Sequence, residues 1–162
     1  MVLFQDSIDF LGINVVNGQI QMQPHVLTKL SQFPDELKDT KTIQRFFGVL
    51  NYVHRYIPRL LEKTSPIRKH LREGWSSEAT AVVKEIKSEC QQLRKLQPPG
   101  DGLLILKIDA YDSFWAAIPF EKWENEEEKL CAYSSGEFSP SQKNYFIVEK
   151  KTLAIFNGIQ KV

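Results

Sequence analysis

An acid closes an apolar run in LILKIDAYDSFWAAI (residues 104–118), where Ile105, Leu106 and Ile108 lead into Asp109. Charge on a buried strand is costly unless something compensates it, so Asp109 either binds a cation or starts a turn. A second anomaly sits in VEKKTLAIF (residues 148–156). Val148, Lys151 and Ile155 fall three and four residues apart, so on a helix they share one face. The apolar flanks predict that this face packs inward and takes the Lys151 ammonium with it. A third pattern, Gln44, Gly48 and Tyr52, repeats every four residues and also lines one helical face. Glycine inside a helix costs about 1 kcal/mol relative to alanine. Gly48 therefore needs a reason: close packing against a neighbouring helix, or close approach of a nucleic acid.

Other chemistries are not visible. There is no glycine-rich phosphate loop and no Ser/His/Asp set. His25, His54 and His70 lack an acid or thiol partner at ligand spacing and read as surface or capping residues. Cys90 and Cys131 stand far apart, fit no metal spacing and read as buried thiols in a reducing compartment. No apolar run approaches a membrane span, and MVLFQDSIDF lacks the basic-then-apolar order of a signal peptide. An intracellular chain with no membrane partner is expected. Its 162 residues, 42% apolar and 25% charged, suit one medium globular domain or two small ones. The net charge is only +1, but Lys38 to Glu73 holds nine basic residues against three acidic ones. That asymmetry suggests an anionic partner for the segment; a solvated helix surface is the alternative.

The elements that position these residues can be read from periodicity and breakers. Alternation around Asn17-Gly18 predicts a hairpin with strands near 8–15 and 19–22. A short helix follows between Pro24 and Pro34. Asp39 or Thr40 can cap a longer one, whose period runs through Ile43, Phe46, Phe47, Leu50 and Val53 to Pro58. A basic helix over Arg59–Glu73 and another over Ser76–Leu96 come next. The breaker QPPGDG (residues 97–102) marks a domain boundary. Beyond it the pattern predicts strands at LLILKIDA, SFWAAIPFEK and KLCAYSSGEF, an acidic turn at WENEEE, and a helical segment from Ser139 to the last residue. The expected fold is α+β, in three parts: a β-hairpin over 1–23, a helical bundle over 24–100, and three strands with one helix over 101–162. Three strands and one helix do not close a domain, so the chain reads as cut short in its last part.

LILKIDAYDSFWAAI, CAYSSGEFSPSQKNY and VEKKTLAI, in that order, resemble the opening half of a ribonuclease H domain. The type is that of plant pararetroviruses (caulimoviruses) and gypsy-type retrotransposons. There the pattern is a TDAS-like strand end, a YAS strand, a K-N-Y turn and an E-K-E-x-L-A helix. The upstream stretch from Phe10 to Leu60 is similar to the end of the palm and to the thumb of the same polyprotein's reverse transcriptase. The resemblance thus covers nearly the whole chain and makes its middle a thumb-like bundle.

What the resemblance implies is reverse transcription with cleavage of the RNA strand of an RNA–DNA hybrid. In such a site Mg²⁺ ions held by carboxylates activate water and stabilise the leaving oxygen. Asp109 takes the place of the first-strand acid and first metal ligand. The second acid of E-K-E-x-L-A falls on Lys151, which has no lone pair for Mg²⁺ and repels it. Glu149 lies two residues earlier, about 200° around the helix, and should point away. The alternative is that Lys151 snorkels past the sheet and pairs with Asp109. The family's later acids fall beyond Val162 and its polymerase aspartates before Met1. In the thumb-like helix, Gln44, Gly48 and Tyr52 take the face that tracks the minor groove of template–primer, with Arg45 and Arg55 as further contacts. Phe10, Leu11 and Gly12 fall on the primer-holding hairpin, or else form hairpin core. The implied partners are a DNA duplex or RNA–DNA hybrid and the rest of the polyprotein. The competing reading is a non-catalytic nucleic-acid-binding module on residues 24–73, or a retroelement relic.

Overall fold

The computed structural model describes residues 7–124 and 127–161, without the side chains of residues 71–73. It divides into two compact units: Met1–Val53 with Pro66–Pro98, and His54–Ser65 with Pro99–Val162.

The first unit begins with three antiparallel strands in chain order, β1 (Ser7–Phe10), β2 (Ile13–Val16) and β3 (Gln19–Met22). The predicted first strand is therefore two strands. Two-residue turns join them, Leu11-Gly12 and Asn17-Gly18, and all four turn residues have positive φ. This is the turn geometry whose twist matches a hairpin. Leucine rarely adopts it, so the first turn left no signal. Helix α1 (Pro24–Ser31) opens with proline, whose missing N–H has no helical partner there. In α2 (Thr40–Val53), Asp39 caps the start, its Oδ1 accepting from the Thr42 amide at 2.8 Å. A hydrogen bond from the Thr42 side chain, together with this amide bond, holds the Asp39 carboxyl below its usual range. Ser76 caps α5 (Ser77–Cys90), which ends six residues before the predicted Leu96. Leu96 instead bridges Ile20 through a pair of backbone hydrogen bonds. The core joins Val26 and Leu30 of α1 to Ile43, Phe46, Leu50 and Val53 of α2 and to Val83 and Ile86 of α5. Cys90 is buried, which pushes its thiol up to about 12. Between α2 and α5, α3 (Leu60–Lys63) and α4 (Ser65–Glu73) replace the single predicted basic helix.

The second unit is a sheet with one long helix on it. Strands β4 (Leu103–Tyr111) and β5 (Phe114–Lys122) form a hairpin along their full length. The predicted third strand is interrupted. Its ends, β6 (Lys129–Leu130) and β7 (Ser134–Glu137), both pair with β5, at Phe120–Glu121 and at Phe114–Ala117. In the gap the Tyr133 amide donates instead to the Arg55 carbonyl at 2.8 Å. The sheet is thus four-stranded where three were expected. Residues 125 and 126 of the predicted acidic turn lie outside the described residues. Buried Glu121 fixes the QPPGDG breaker, its Oε1 accepting from the Gly100 and Gly102 amides at 2.8 and 3.0 Å.

Helix α6 (Ile147–Ile159) packs on β4 and β5, with Ala154 in a core of Ala110, Trp115, Ala117 and Phe138. Here the predicted face is wrong. Lys150, Ala154 and Gly158 point inward, whereas Val148 is 71% exposed, Ile155 45%, and Lys151 is exposed too. After Lys150 the inward stripe continues with the small residues Ala154 and Gly158, and there the helix sits close to the sheet. A Cβ on Gly158 would lie 2.8 Å from that of Ala117.

Candidate nucleic-acid interface and acid site

In the first unit the helical period of α2 sorts its side chains onto opposite faces. Ile43, Phe46, Leu50 and Val53 are buried, while Gln44, Arg45, Gly48 and Tyr52 are exposed. A Cβ built on Gly48 meets nothing within 4 Å, so packing inside the described chain does not require glycine there. Beside this face lies the Leu11-Gly12 turn. A Cβ on Gly12 would come within 3.1 Å of Val26 and 3.4 Å of the Tyr52 ring, and the φ of +85° also favours glycine. Phe10 and Leu11 are 61% and 74% exposed, so the alternative that they are hairpin core is corrected. All four residues of β1 are exposed, so the turn that follows it has no layer to bury its side chains in. Nearby, Asn14 donates to Asp9 at 2.6 Å, and this bond, with one from Gln23, holds the Asp9 carboxyl below its usual range.

Two cavities flank the exposed stripe. One, of about 640 Å³, is lined by Lys29, Gln32, Thr42, Arg45 and Gly48 among others. The second, of about 270 Å³, is lined by Leu11, Gly12, His25, Lys29 and Tyr52 among others. Sequence reasoning missed Lys29, which sits on α1 as an ordinary exposed lysine; only the packing of α1 beside α2 shows what it faces. Arg55 falls in the second unit, where it is exposed.

The acid site lies within the second unit. Asp109 sits two residues before the end of β4, opposite Ala116, and does not start the turn. The turn follows Tyr111 and places Asp112 at positive φ. Asp109 is not buried: its side chain is 57% exposed. Its cation is internal, since Arg59 Nη2 donates to Asp109 Oδ2 at 3.1 Å. Arg59 caps α3 in the left-handed region, at φ 52°, and the Leu61 amide donates to Ser135 Oγ at 3.3 Å. Lys151 forms no ion pair with Asp109 among the described residues, so the snorkelling alternative is corrected. Glu149 caps its own helix by accepting from the Phe146 amide at 2.8 Å.

The residues present do not fit Mg²⁺ chemistry of the ribonuclease H kind. Among the described residues no three His, Cys, Asp or Glu side chains gather at one point. The one carboxylate at the matching place is engaged by a guanidinium, and a hard cation needs several oxygen ligands.

A family model described as "RNase H-like domain found in reverse transcriptase" matches residues 75–162, more than half the chain. The chain belongs to that family. This reverse-transcriptase RNase H-like chain is 36% identical over 168 residues to the enzymatic polyprotein of Cauliflower mosaic virus (strain Strasbourg), covering 98% of itself and 25% of that protein. It is 37% identical over 164 residues to the Figwort mosaic virus (strain DxS) enzymatic polyprotein, with the same coverage. To the genome polyprotein of Petunia vein clearing virus (isolate Shepherd) it is 35% identical over 164 residues, covering 99% of itself and 8% of that protein. The chain therefore spans a quarter or less of the length of these relatives. Among solved structures, foamy viral protease-reverse transcriptase in complex with dsDNA superposes with a TM-score of 0.77 at 21% identity, over 98% of this chain and 34% of that one. The same protein with an RNA/DNA hybrid gives 0.78 at 21% identity, over 97% and 22%. The α+β fold is that of the reverse transcriptase and its RNase H-like domain. No helix among the described residues is long and apolar enough to cross a membrane.

Proposed function

We propose that this chain supplies a duplex-binding surface to a reverse transcriptase–ribonuclease H polyprotein. The duplex is template–primer, as DNA or RNA–DNA hybrid, and α2 meets it along Gln44, Gly48 and Tyr52 as a thumb does. The observation that carries the reading is Gly48, a glycine in mid-helix with open space before it. A bare backbone lets a sugar approach closely, Gln44 can bond to base or sugar edges, and the Tyr52 ring can pack on a sugar. The reading also draws support from the foamy viral structures of the same fold, which hold double-stranded DNA and RNA/DNA hybrid. The setting would be the cytoplasm or a virus-like particle, alongside the rest of the polyprotein. The test is fluorescence anisotropy with a labelled duplex at low salt. Binding is expected to fall as salt rises and to weaken in Tyr52→Ala and Gln44→Ala. No measurable binding at low salt overturns the reading.

By itself the chain is expected to show no hybrid cleavage, because Asp109 is paired with Arg59 and a lysine, Lys151, stands where the family pattern has its second acid. Mg²⁺-dependent release of RNA fragments from a hybrid by the purified chain refutes this.

A further inference from the structure

We propose that the open edge of β4 pairs with the same edge of a second copy of this chain, as antiparallel strands centred on Ile108 about a two-fold axis. Strand β4 ends the sheet order and pairs only with β5 among the described residues. Its other side is a row of backbone N–H and C=O groups with no strand beside it, a template for pairing with another chain. Sheets blunt such edges by making them short, bulged or broken by proline. The nine residues LLILKIDAY run in unbroken register with β5, hold no proline and are mostly apolar. Tyr111 and Phe114 face each other across a two-residue turn, where antiparallel strands exchange both hydrogen bonds. Alternation then turns the backbone groups of Ile105, Lys107, Asp109 and Tyr111 to β5, and those of Leu104, Leu106, Ile108 and Ala110 to the open side.

Charge selects the register. Centring two copies on Lys107 or on Asp109 sets like charges directly opposite, which is destabilising. Centring on Ile108 sets Lys107 opposite Asp109 of the second copy, and Ile105 opposite its Tyr111, each twice by symmetry. Ile108 then exchanges both backbone bonds with its counterpart, and Leu106 with Ala110 of the second copy. Lys107 now pairs with Glu128 and Asp109 with Arg59, and in each pair the β4 side chain is more than half exposed. Such pairs contribute little, so either side chain can turn to a new partner. Lys107 of the second copy thereby joins Arg59 at the acid site.

Helix α6 adds an apolar surface beside the same edge. It lies over β4 and β5, and its Leu153 flank packs towards Trp115 and Phe138, on the β7 side. The opposite flank, with exposed Val148, Ile155 and Ile159, therefore overlooks the open edge. Strands stand about 4.8 Å apart. Two such helices seated between β4 and β5 of their own copies would lie about 10 Å apart, the spacing of packed helices. Lys151, on the same flank, has a stem long enough to carry its charge to the rim.

The test is sedimentation velocity of the full chain over a range of concentrations. A reversible monomer–dimer equilibrium is expected. Lys107→Glu and Asp109→Lys each set like charges opposite, twice per dimer, and should raise the dissociation constant about tenfold. Combined in one chain they restore opposite charges and should bring the dimer back. Ile155→Glu should also weaken it. Phe156→Ser should not, because Phe156 lies two residues from inward Ala154 and so on the outer side of α6. Circular dichroism confirms that each variant is folded. A chain that stays monomeric, its edge left to some other strand, overturns the proposal. So does a dimer that Lys107→Glu and Ile155→Glu leave intact, or one that Phe156→Ser dissolves. If the combined exchange fails to restore a dimer lost in both single variants, the Ile108 register is refuted.

Discussion

Replacing Gly48 by alanine should move stability and binding in opposite directions. Gly48 lies in the interior of the 14-residue α2, where alanine is favoured over glycine by about 1 kcal/mol. The added methyl meets nothing within 4 Å, so no steric penalty offsets that gain. The expected stabilisation is about 0.5–1 kcal/mol. With a urea m-value of about 1–3 kcal/mol/M, a gain of 1 kcal/mol raises the unfolding midpoint by about 0.3–1 M. Circular dichroism at 222 nm against urea reads this directly, because α2 and its neighbours dominate the first unit. The same methyl projects from the face proposed to meet a sugar, so duplex affinity should fall several-fold in the more stable protein. A lowered midpoint would refute the packing side of the reasoning, since something would then be pressing on Gly48. A raised midpoint with unchanged affinity would refute the functional side, leaving the glycine without a ligand to admit.

Gly158→Val should destabilise by about 1–3 kcal/mol, the range for overpacking a well-filled core; its Cβ would sit 2.8 Å from that of Ala117, and a urea midpoint at or above that of the unaltered chain would contradict the close docking of α6. Asp109→Asn should change stability by less than about 1 kcal/mol, because both partners of the Arg59 pair are more than half exposed. Millimolar Mg²⁺ should leave the melting of both proteins alike, and a Mg²⁺-dependent rise lost in Asp109→Asn would show that Asp109 does hold a metal.

Where side-chain size and turn chemistry both speak, the sequence was a good guide. The α2 period through Ile43, Phe46, Leu50 and Val53 gave the buried face, and Asn17-Gly18 gave its turn. The errors share a physical origin. Leu11 takes a positive φ that leucine does not advertise, so one strand was read where there are two. On α6 the large apolar residues Val148, Ile155 and Phe156 outweigh Ala154 and Gly158 in any reading of hydrophobic period. Close approach to a sheet, however, is set by small residues. The break between β6 and β7 is caused by a backbone bond from Tyr133 to Arg55, 78 positions earlier in the chain. No local pattern encodes it. The same holds for Arg59, whose role beside Asp109 depends on a contact 50 residues away. Lys151, expected to be carried inward by an apolar face, is instead exposed.

The second unit takes twelve of its residues, His54–Ser65, from the middle of the first. The polypeptide thus leaves one unit, enters the other, returns, and leaves again. A recombination event or an engineer cutting at the QPPGDG breaker would deliver a downstream piece missing Arg55, Arg59 and Leu61, the residues that hydrogen-bond to Tyr133, Asp109 and Ser135. Neither unit can be traded as a contiguous cassette. The second unit draws on a segment already made during synthesis of the first.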